Sequence, residues 1–444
     1  MIKNSLRKFI HRSFLSAPSK GLYSYHVNHY GGTSHVHLRL DENGDGLLII
    51  NANRVLHLNP SAAIMAYIYL EKLPEYLALK TLTHIFKVTK SQAQIDYAQF
   101  QNDFAELIDP SGLCPIHDLD VDVTLPFSSK PSAPYRMDLA VTYLCNNDCH
   151  HCYNQPQRLR NELSTLEWKN VISKLWDIGI PHIVFTGGEP TLRKDLPELI
   201  SFAEKKGQVT GLNTNGRLLC DAQFVSRLVD AGLDHIQITL ESHDADIHDQ
   251  MVNHKGAWVQ TVAGIKNVLD TPLYVMTNTT LLKQNCPLLS STMQFIADLG
   301  VPTIGLNALI HSGRGRTVGS GLEEKELPQL LEMARALTEQ HRQRLIWYTP
   351  TEYCQFDPMQ LELGVKACTA ALYNMCIEPD GSVIPCQSFH ESLGNILNNP
   401  WKSIWEHERA KWLRERKYIH PKCTNCVLLA ECGGGCPLIN LELV

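Results

Sequence analysis

Cys145-Asn-Asn-Asp-Cys149-His-His-Cys152-Tyr153 follows the apolar run Met137 to Val141, and these residues decide how the rest of the chain is read. Three thiolates on one tight loop bind three irons of a cubane cluster, and the fourth iron stays open to a small molecule. A zinc loop or a redox CxxC are the other uses of cysteines so clustered. The run before the loop has strand character, so the loop hangs from a strand's C-terminal end.

Working outward, short apolar runs alternate with helical stretches. The runs are Met137 to Val141, Ile183 to Thr186, Val209 to Asn213, His235 to Leu240, Leu273 to Asn278 and Thr303 to Asn307. Strands separated by helices give βαβ units, a parallel sheet and right-handed crossovers. In a β/α barrel the ligand site lies at the C-terminal strand ends, where the cysteine loop falls.

Upstream, residues 109–136 are rich in Pro and Ser, show no period and read as a linker. Residues 21–108 read as a small α+β module. Between Val36 and Leu58 strands alternate around the hairpin turn Asn43-Gly44-Asp45-Gly46. Ser61 caps a helix to about Leu70, Pro74 opens a second ending near Phe86, and Ser91 precedes a third through Leu107. Residues 1–20 carry Lys3, Arg7, Lys8 and Arg12 among apolar residues and read as a basic arm without a signal-peptide core.

A chain of 444 residues with net charge -6 has room for about three domains and gives no general case for nucleic acid. No apolar run is long enough to span a membrane. Fourteen cysteines bunched as CxxxC and CxxC fit thiolates on clusters in a reducing, cytoplasmic setting.

The CxxxCxxC loop resembles that of the radical S-adenosylmethionine (SAM) enzymes, with His151 where an aromatic residue usually stands. The resemblance implies a partial (β/α)6 TIM-type barrel over residues 137–350. It also implies a 4Fe-4S cluster whose open iron chelates SAM, reductive cleavage to a 5'-deoxyadenosyl radical, and a reductant such as flavodoxin or ferredoxin. Phe185-Thr186-Gly187-Gly188-Glu189-Pro190 resembles the family's GGEP segment, with glycines for close approach and Glu189 for the SAM ammonium. By the same resemblance Tyr153, Asn213, Asn215, Thr239, Glu241, Asn278 and Leu306 line the SAM pocket, with Leu306-Asn307 beside adenine. His254 or Lys255 stands in for an arginine that relatives carry near Val252. Arg314 and Arg316 lie in a basic turn, solvated or at the site.

In residues 351–444, Cys368 and Cys386 bracket a turn, and Cys423-Thr-Asn-Cys426 precedes Cys432-Gly-Gly-Gly-Cys436. This pattern resembles the SPASM domain, which holds auxiliary 4Fe-4S clusters. The resemblance implies one cluster on Cys368, Cys386 and Cys436, with Cys376 as fourth ligand, and a second on Cys423, Cys426 and Cys432. The second lacks an evident fourth ligand; it is open, borrows Cys354, or is absent. Zinc on Cys423, Cys426, Cys432 and Cys436 is the alternative. Trp401 to Trp412 reads as one amphipathic helix with its tryptophans in the core, and Cys114, Cys220 and Cys286 read as buried apolar residues.

Val55 to Ala62 with the following helices resembles the peptide-chaperone domain of pyrroloquinoline quinone biosynthesis, which takes a leader peptide as an added strand. A plain winged-helix packing domain is the alternative. Together these resemblances imply an enzyme that modifies a ribosomally made precursor peptide by cross-link, epimerisation or another oxidative change. Sulfatase-maturing enzymes carry Asp where Gln387 follows Cys386. Tetrapyrrole tailoring is the enzymatic alternative, and a non-catalytic electron-transfer protein the alternative of another class.

Overall fold

The alternation around Val36 to Leu58 forms the middle of a four-stranded antiparallel sheet in a computed structural model that describes residues 17–29, 32–51, 54–108, 131–154 and 161–440. The basic arm, most of the linker and Cys114 lie outside the described residues. The sheet runs in chain order, β1 (Gly21–His29), β2 (Gly32–Leu40), β3 (Gly46–Ile50) and β4 (Arg54–Leu58), so β1 and β4 are its edges. Val36, Leu38, Leu48 and Ile50 meet Ala63, Ala66 and Phe104 in one core, and Tyr23, Tyr25 and Val27 of β1 pack against it.

Three helices follow, Pro60–Leu70, Glu75–Phe86 and Lys90–Ile108. The first is capped by Asn59, not Ser61: its Oδ1 accepts the Ala62 N–H at 2.9 Å, because Pro60 occupies the first turn. The third begins at Lys90, one residue ahead of Ser91; Thr89 Oγ1 accepts the Gln92 N–H at 3.2 Å.

The second unit is built on a nine-stranded sheet. Its six expected strands are β5 (Arg136–Thr142), β6 (His182–Gly187), β7 (Val209–Thr214), β8 (His235–Thr239), β9 (Tyr274–Leu281) and β10 (Thr303–Ala308), parallel and in chain order. A short β11 (Arg344–Trp347) extends the sheet beyond β10. On the other side, β12 (Asn374–Ile377) pairs parallel with β5, and β13 (Val383–Ile384) pairs antiparallel with β12. The cysteine-rich tail therefore adds strands to the barrel sheet. This is an α/β fold with a parallel core, an N-terminal α+β module and a cysteine-rich C-terminal region.

Pairing register fixes which side chains share a face. Asn213 stands opposite Gln237, Thr239 opposite Asn278, and Asn278 opposite Gly305. These lie on the less buried face, while Leu212, Ile236, Ile238, Ile304 and Leu306 lie on the other and are fully buried.

The expected helix over Trp401 to Trp412 is two, Trp401–Trp405 and Glu408–Arg414, with His407 capping the second. Only Trp405 of the three tryptophans is buried. Cys220 is exposed, since the 3-10 turn Arg217–Cys220 buries Leu219 instead, and Cys286 is half-buried. Among the described residues no helix is long and apolar enough to cross a membrane.

Candidate functional site

The cysteine loop leaves β5 and is held from three sides. Helix Ala245–Val252 starts on Asp244, whose Oδ1 accepts two amide N–H groups at 3.0 Å, and ends with Asn253 in the left-handed region. Its last carbonyls then accept from the loop: Val252 from Asp148 N–H at 3.0 Å and Met251 from His150 N–H at 3.2 Å. From the turn after β10, Arg314 N–H donates to the Cys152 carbonyl at 2.9 Å, and its guanidinium pairs with Asp148.

The third side is the Gly187-Gly188-Glu189-Pro190 turn at the end of β6. Gly188 N–H donates to Thr142 O and Glu189 N–H to Leu144 O, both at 2.7 Å. A Cβ on Gly187, whose φ is +134°, would lie 2.1 Å from Thr142 O, and one on Gly188 would lie 2.3 Å from Leu144 O. The glycines thus admit the cysteine-loop backbone itself. Pro190 opens the buried turn Pro190–Leu192.

Glu189 is fully buried, and burial pushes its carboxyl up from the usual range. Four donors oppose that: Thr191 N–H at 3.0 Å, Thr191 Oγ1 at 2.5 Å, Thr214 Oγ1 at 2.7 Å and Asn215 N–H at 2.8 Å. It ties the β6 turn to the β7 turn. Asn215 then reaches Asn146 Oδ1 with its Nδ2 at 2.6 Å.

Arg217 is a buried site residue that the sequence did not single out. It donates to Gln260 Oε1 at 2.6 Å, to Asn147 Oδ1 at 2.9 Å and to the Asn146 carbonyl. Its Nη2 also lies 2.8 Å from His254 Nε2. A guanidinium can only donate, so His254 Nε2 is the acceptor in that contact. His254 is thus in contact with Arg217 beside the cysteine loop.

His151 Nε2 lies 2.9 Å from Glu241 Oε1, and Glu241 Oε2 accepts the Thr280 N–H at 2.9 Å. The Glu241 N–H donates to His248 Nδ1 at 3.2 Å. The Tyr153 hydroxyl donates to Gln387 Oε1 at 2.9 Å, and its carbonyl accepts from His390 Nε2 at 3.1 Å. The cysteine loop is thereby bonded to the residue after Cys386.

Of the strand-end candidates, Asn213, Thr239 and Asn278 share one face, and Asn278 Oδ1 is buried without a hydrogen-bond partner among the described residues. Leu306 does not share that face. Its side chain is on the opposite face at 0% exposure, and its carbonyl is taken by Tyr348 N–H at 3.0 Å. Parity along β10 gives the pocket face to Gly305 and Asn307 instead.

In the tail the thiols fall into two groups. Cys368 has Cys436 and Cys386 as electrostatic neighbours, Cys436 has Cys386, and buried Cys376 has Cys386 and Asp138. Cys423 has Cys354 and Cys432 as neighbours. The division follows from Gly433, Gly434 and Gly435, at φ +63°, +80° and +72°. Three successive left-handed residues turn Cys436 away from Cys432, a path that L side chains resist.

The thiols suit iron-sulfur clusters by their surroundings. Backbone N–H groups are aimed at sulfur: Asn147 at Cys145, Ala370 at Cys368, Ala140 at Cys376, Ser388 and Phe389 at Cys386, Leu438 and Ile439 at Cys436, and Tyr353 at Cys432. Such bonds favour thiolates. Burial pushes the bare thiols up, to about 11 for Cys145 and Cys386 and about 12 for Cys436. Binding iron therefore releases protons.

Comparison with known proteins gives two family matches. Residues 139–285 match the Radical SAM superfamily, and residues 368–427 match the SPASM iron-sulfur cluster-binding domain. Fe-coproporphyrin III synthase of Methanosarcina barkeri is 30% identical over 325 residues, which are 66% of this chain and 81% of that protein. PqqA peptide cyclase of Bradyrhizobium diazoefficiens is 31% identical over 319 residues, 68% of this chain and 81% of that protein. SuiB of Streptococcus suis, solved with the precursor peptide SuiA, shares the fold at TM-score 0.70 and 16% identity, covering 95% of this chain and 97% of that one.

Proposed function

The chain belongs to the radical SAM enzymes that carry a SPASM domain, and from that premise we propose that it modifies a ribosomally made precursor peptide. Its cofactors are a radical SAM 4Fe-4S cluster, SPASM auxiliary clusters and SAM. When bound, the cluster and SAM supply reductive cleavage of the C5'-S bond and a hydrogen-abstracting radical. We assign the first cluster to Cys145, Cys149 and Cys152, with Asn215, Arg217 and Gly188 holding their loop. Asn213, Thr239 and Asn278 form the polar face beneath SAM. Cys368, Cys376, Cys386 and Cys436 take one auxiliary cluster.

The N-terminal module carries this reading. It is an antiparallel sheet whose outer strands among the described residues are β1 and β4, backed by helices, a form that can take an extended peptide by strand addition. The fold likeness to a peptide-bound enzyme leaves only 5% of this chain uncovered, far less than the module's length. A leader bound there, and electrons from a flavodoxin or ferredoxin, complete the partners.

A second reading, tetrapyrrole tailoring, is favoured by the identity to Fe-coproporphyrin III synthase. One experiment separates them. Reconstituted enzyme with SAM and reductant is offered precursor peptides encoded beside its gene, and separately iron-coproporphyrin III. Peptide-dependent formation of 5'-deoxyadenosine with loss of hydrogens from the peptide is the expected result. Turnover of the porphyrin, with no peptide bound, sinks the peptide reading.

A further inference from the structure

We propose that Cys354 is the fourth thiolate of the auxiliary centre formed by Cys423, Cys426 and Cys432. The inference rests on reading those three as ligands of one cluster. It adds a ligand from the loop after β11, ahead of the segment that matches the SPASM domain.

The backbone of that loop runs across the Cys432 sulfur. Tyr353 N–H donates to Cys432 Sγ at 3.4 Å, and Cys432 Sγ in turn lies 3.6 Å from the Thr351 carbonyl. Cys354 is the next residue, its Cα about 3.8 Å beyond that of Tyr353. The far side is fixed by Glu352. Its Oε2 lies 3.9 Å from Cys354 Sγ and 3.8 Å from Nζ of Lys422, the residue before Cys423. One carboxylate oxygen thus brings the Cys354 sulfur and the Cys423 turn to the same place. Electrostatic contacts repeat the grouping: Cys354 has Glu352, Lys422 and Cys432 as neighbours, and Cys423 has Glu352, Lys422, Cys354 and Cys432.

No other thiol among the described residues has this company. Cys436 is turned to Cys368 and Cys386, and Cys376 joins them. Cys220 and Cys286 sit in the 3-10 turns after β7 and β9. Cys354 and Cys426 are exposed while Cys432 is buried, so the centre lies at the surface with one corner covered. On binding, the Cys354 thiol releases its proton to solvent and coordinates iron as thiolate.

The test uses the full chain, reconstituted anaerobically. Cys354→Ala is expected to lose up to about four irons, or to convert one cluster to a three-iron form with its own electron paramagnetic resonance signal. Cys220→Ala should match wild type. Cys423→Ala is the reference variant and should lose about four irons. If Cys354→Ala keeps wild-type iron content and spectra while Cys423→Ala loses its irons, Cys354 is not a ligand. If Cys423→Ala also keeps all its iron, the parent assignment of that trio is gone and the proposal with it. Independently of folding in the variants, iodoacetamide should label Cys354 at least tenfold more slowly in reconstituted wild type than in iron-free wild type. Equal labelling overturns the proposal.

Discussion

At the scale of single residues, Gly188 decides whether the cysteine loop keeps its place. Ala there would put a Cβ 2.3 Å from Leu144 O and 2.7 Å from Tyr143 O, contacts that only backbone movement relieves. Gly188→Ala should lose about four irons and most 5'-deoxyadenosine formation while auxiliary clusters persist, as iron analysis and chromatography would read. His235 makes a second prediction. Burial, then the nearby Arg136 charge, holds it down to about 4, and its Nε2 is 2.8 Å from His182 Nε2. A depressed folded value leaves full stability above about pH 6.5, and it drains as pH falls from there towards 4. The melting temperature of His235→Gln should therefore vary less than wild type across that window; an equal slope would assign the acid sensitivity elsewhere. The thiol spacing was readable because iron coordination dictates it before any fold exists. The Arg217 clamp and its contact with His254 were not, since both depend on which loops meet. Leu306 and Asn307 fall on opposite faces because one position along a strand reverses the face.

At the scale of elements, period-two and helical patterning made β5 to β10 legible, since each is a buried run bounded by turns. β12 and β13, at four and two residues, are too short to carry a period. The Cys432 to Cys436 segment makes this scale's prediction. A Cβ on Gly434 would meet Ile419 Cγ2 at 2.7 Å, and its φ of +80° costs an L residue about 1–2 kcal/mol. Gly434→Val should therefore impair both auxiliary sites together, seen as loss of their iron with SAM cleavage retained but uncoupled from product. Loss of one auxiliary site alone would mean the turn does not govern both.

For the molecule as a whole, peptide binding and SAM chemistry are expected to separate. Removing residues 1–107 should weaken leader-peptide binding at least tenfold, measured by fluorescence anisotropy, yet leave SAM cleavage in place. Unchanged peptide affinity would reduce the module to packing. That the tail shares the barrel's sheet was hidden, because no local pattern reports a pairing partner so distant in sequence.

The pairing of β12 with β5 also imposes an order on synthesis. On the ribosome β5 emerges early, with Cys145 to Cys152 just behind it, but the strand that closes its outer edge is Asn374–Ile377. Until that stretch is translated, one flank of the nascent sheet is a bare ladder of N–H and C=O groups, prone to pair with another chain. Cluster assembly on the first loop therefore competes with a chaperone-dependent wait for the carboxyl-terminal third. Chains stopped between Trp347 and Asn374 should aggregate however well the cell supplies iron.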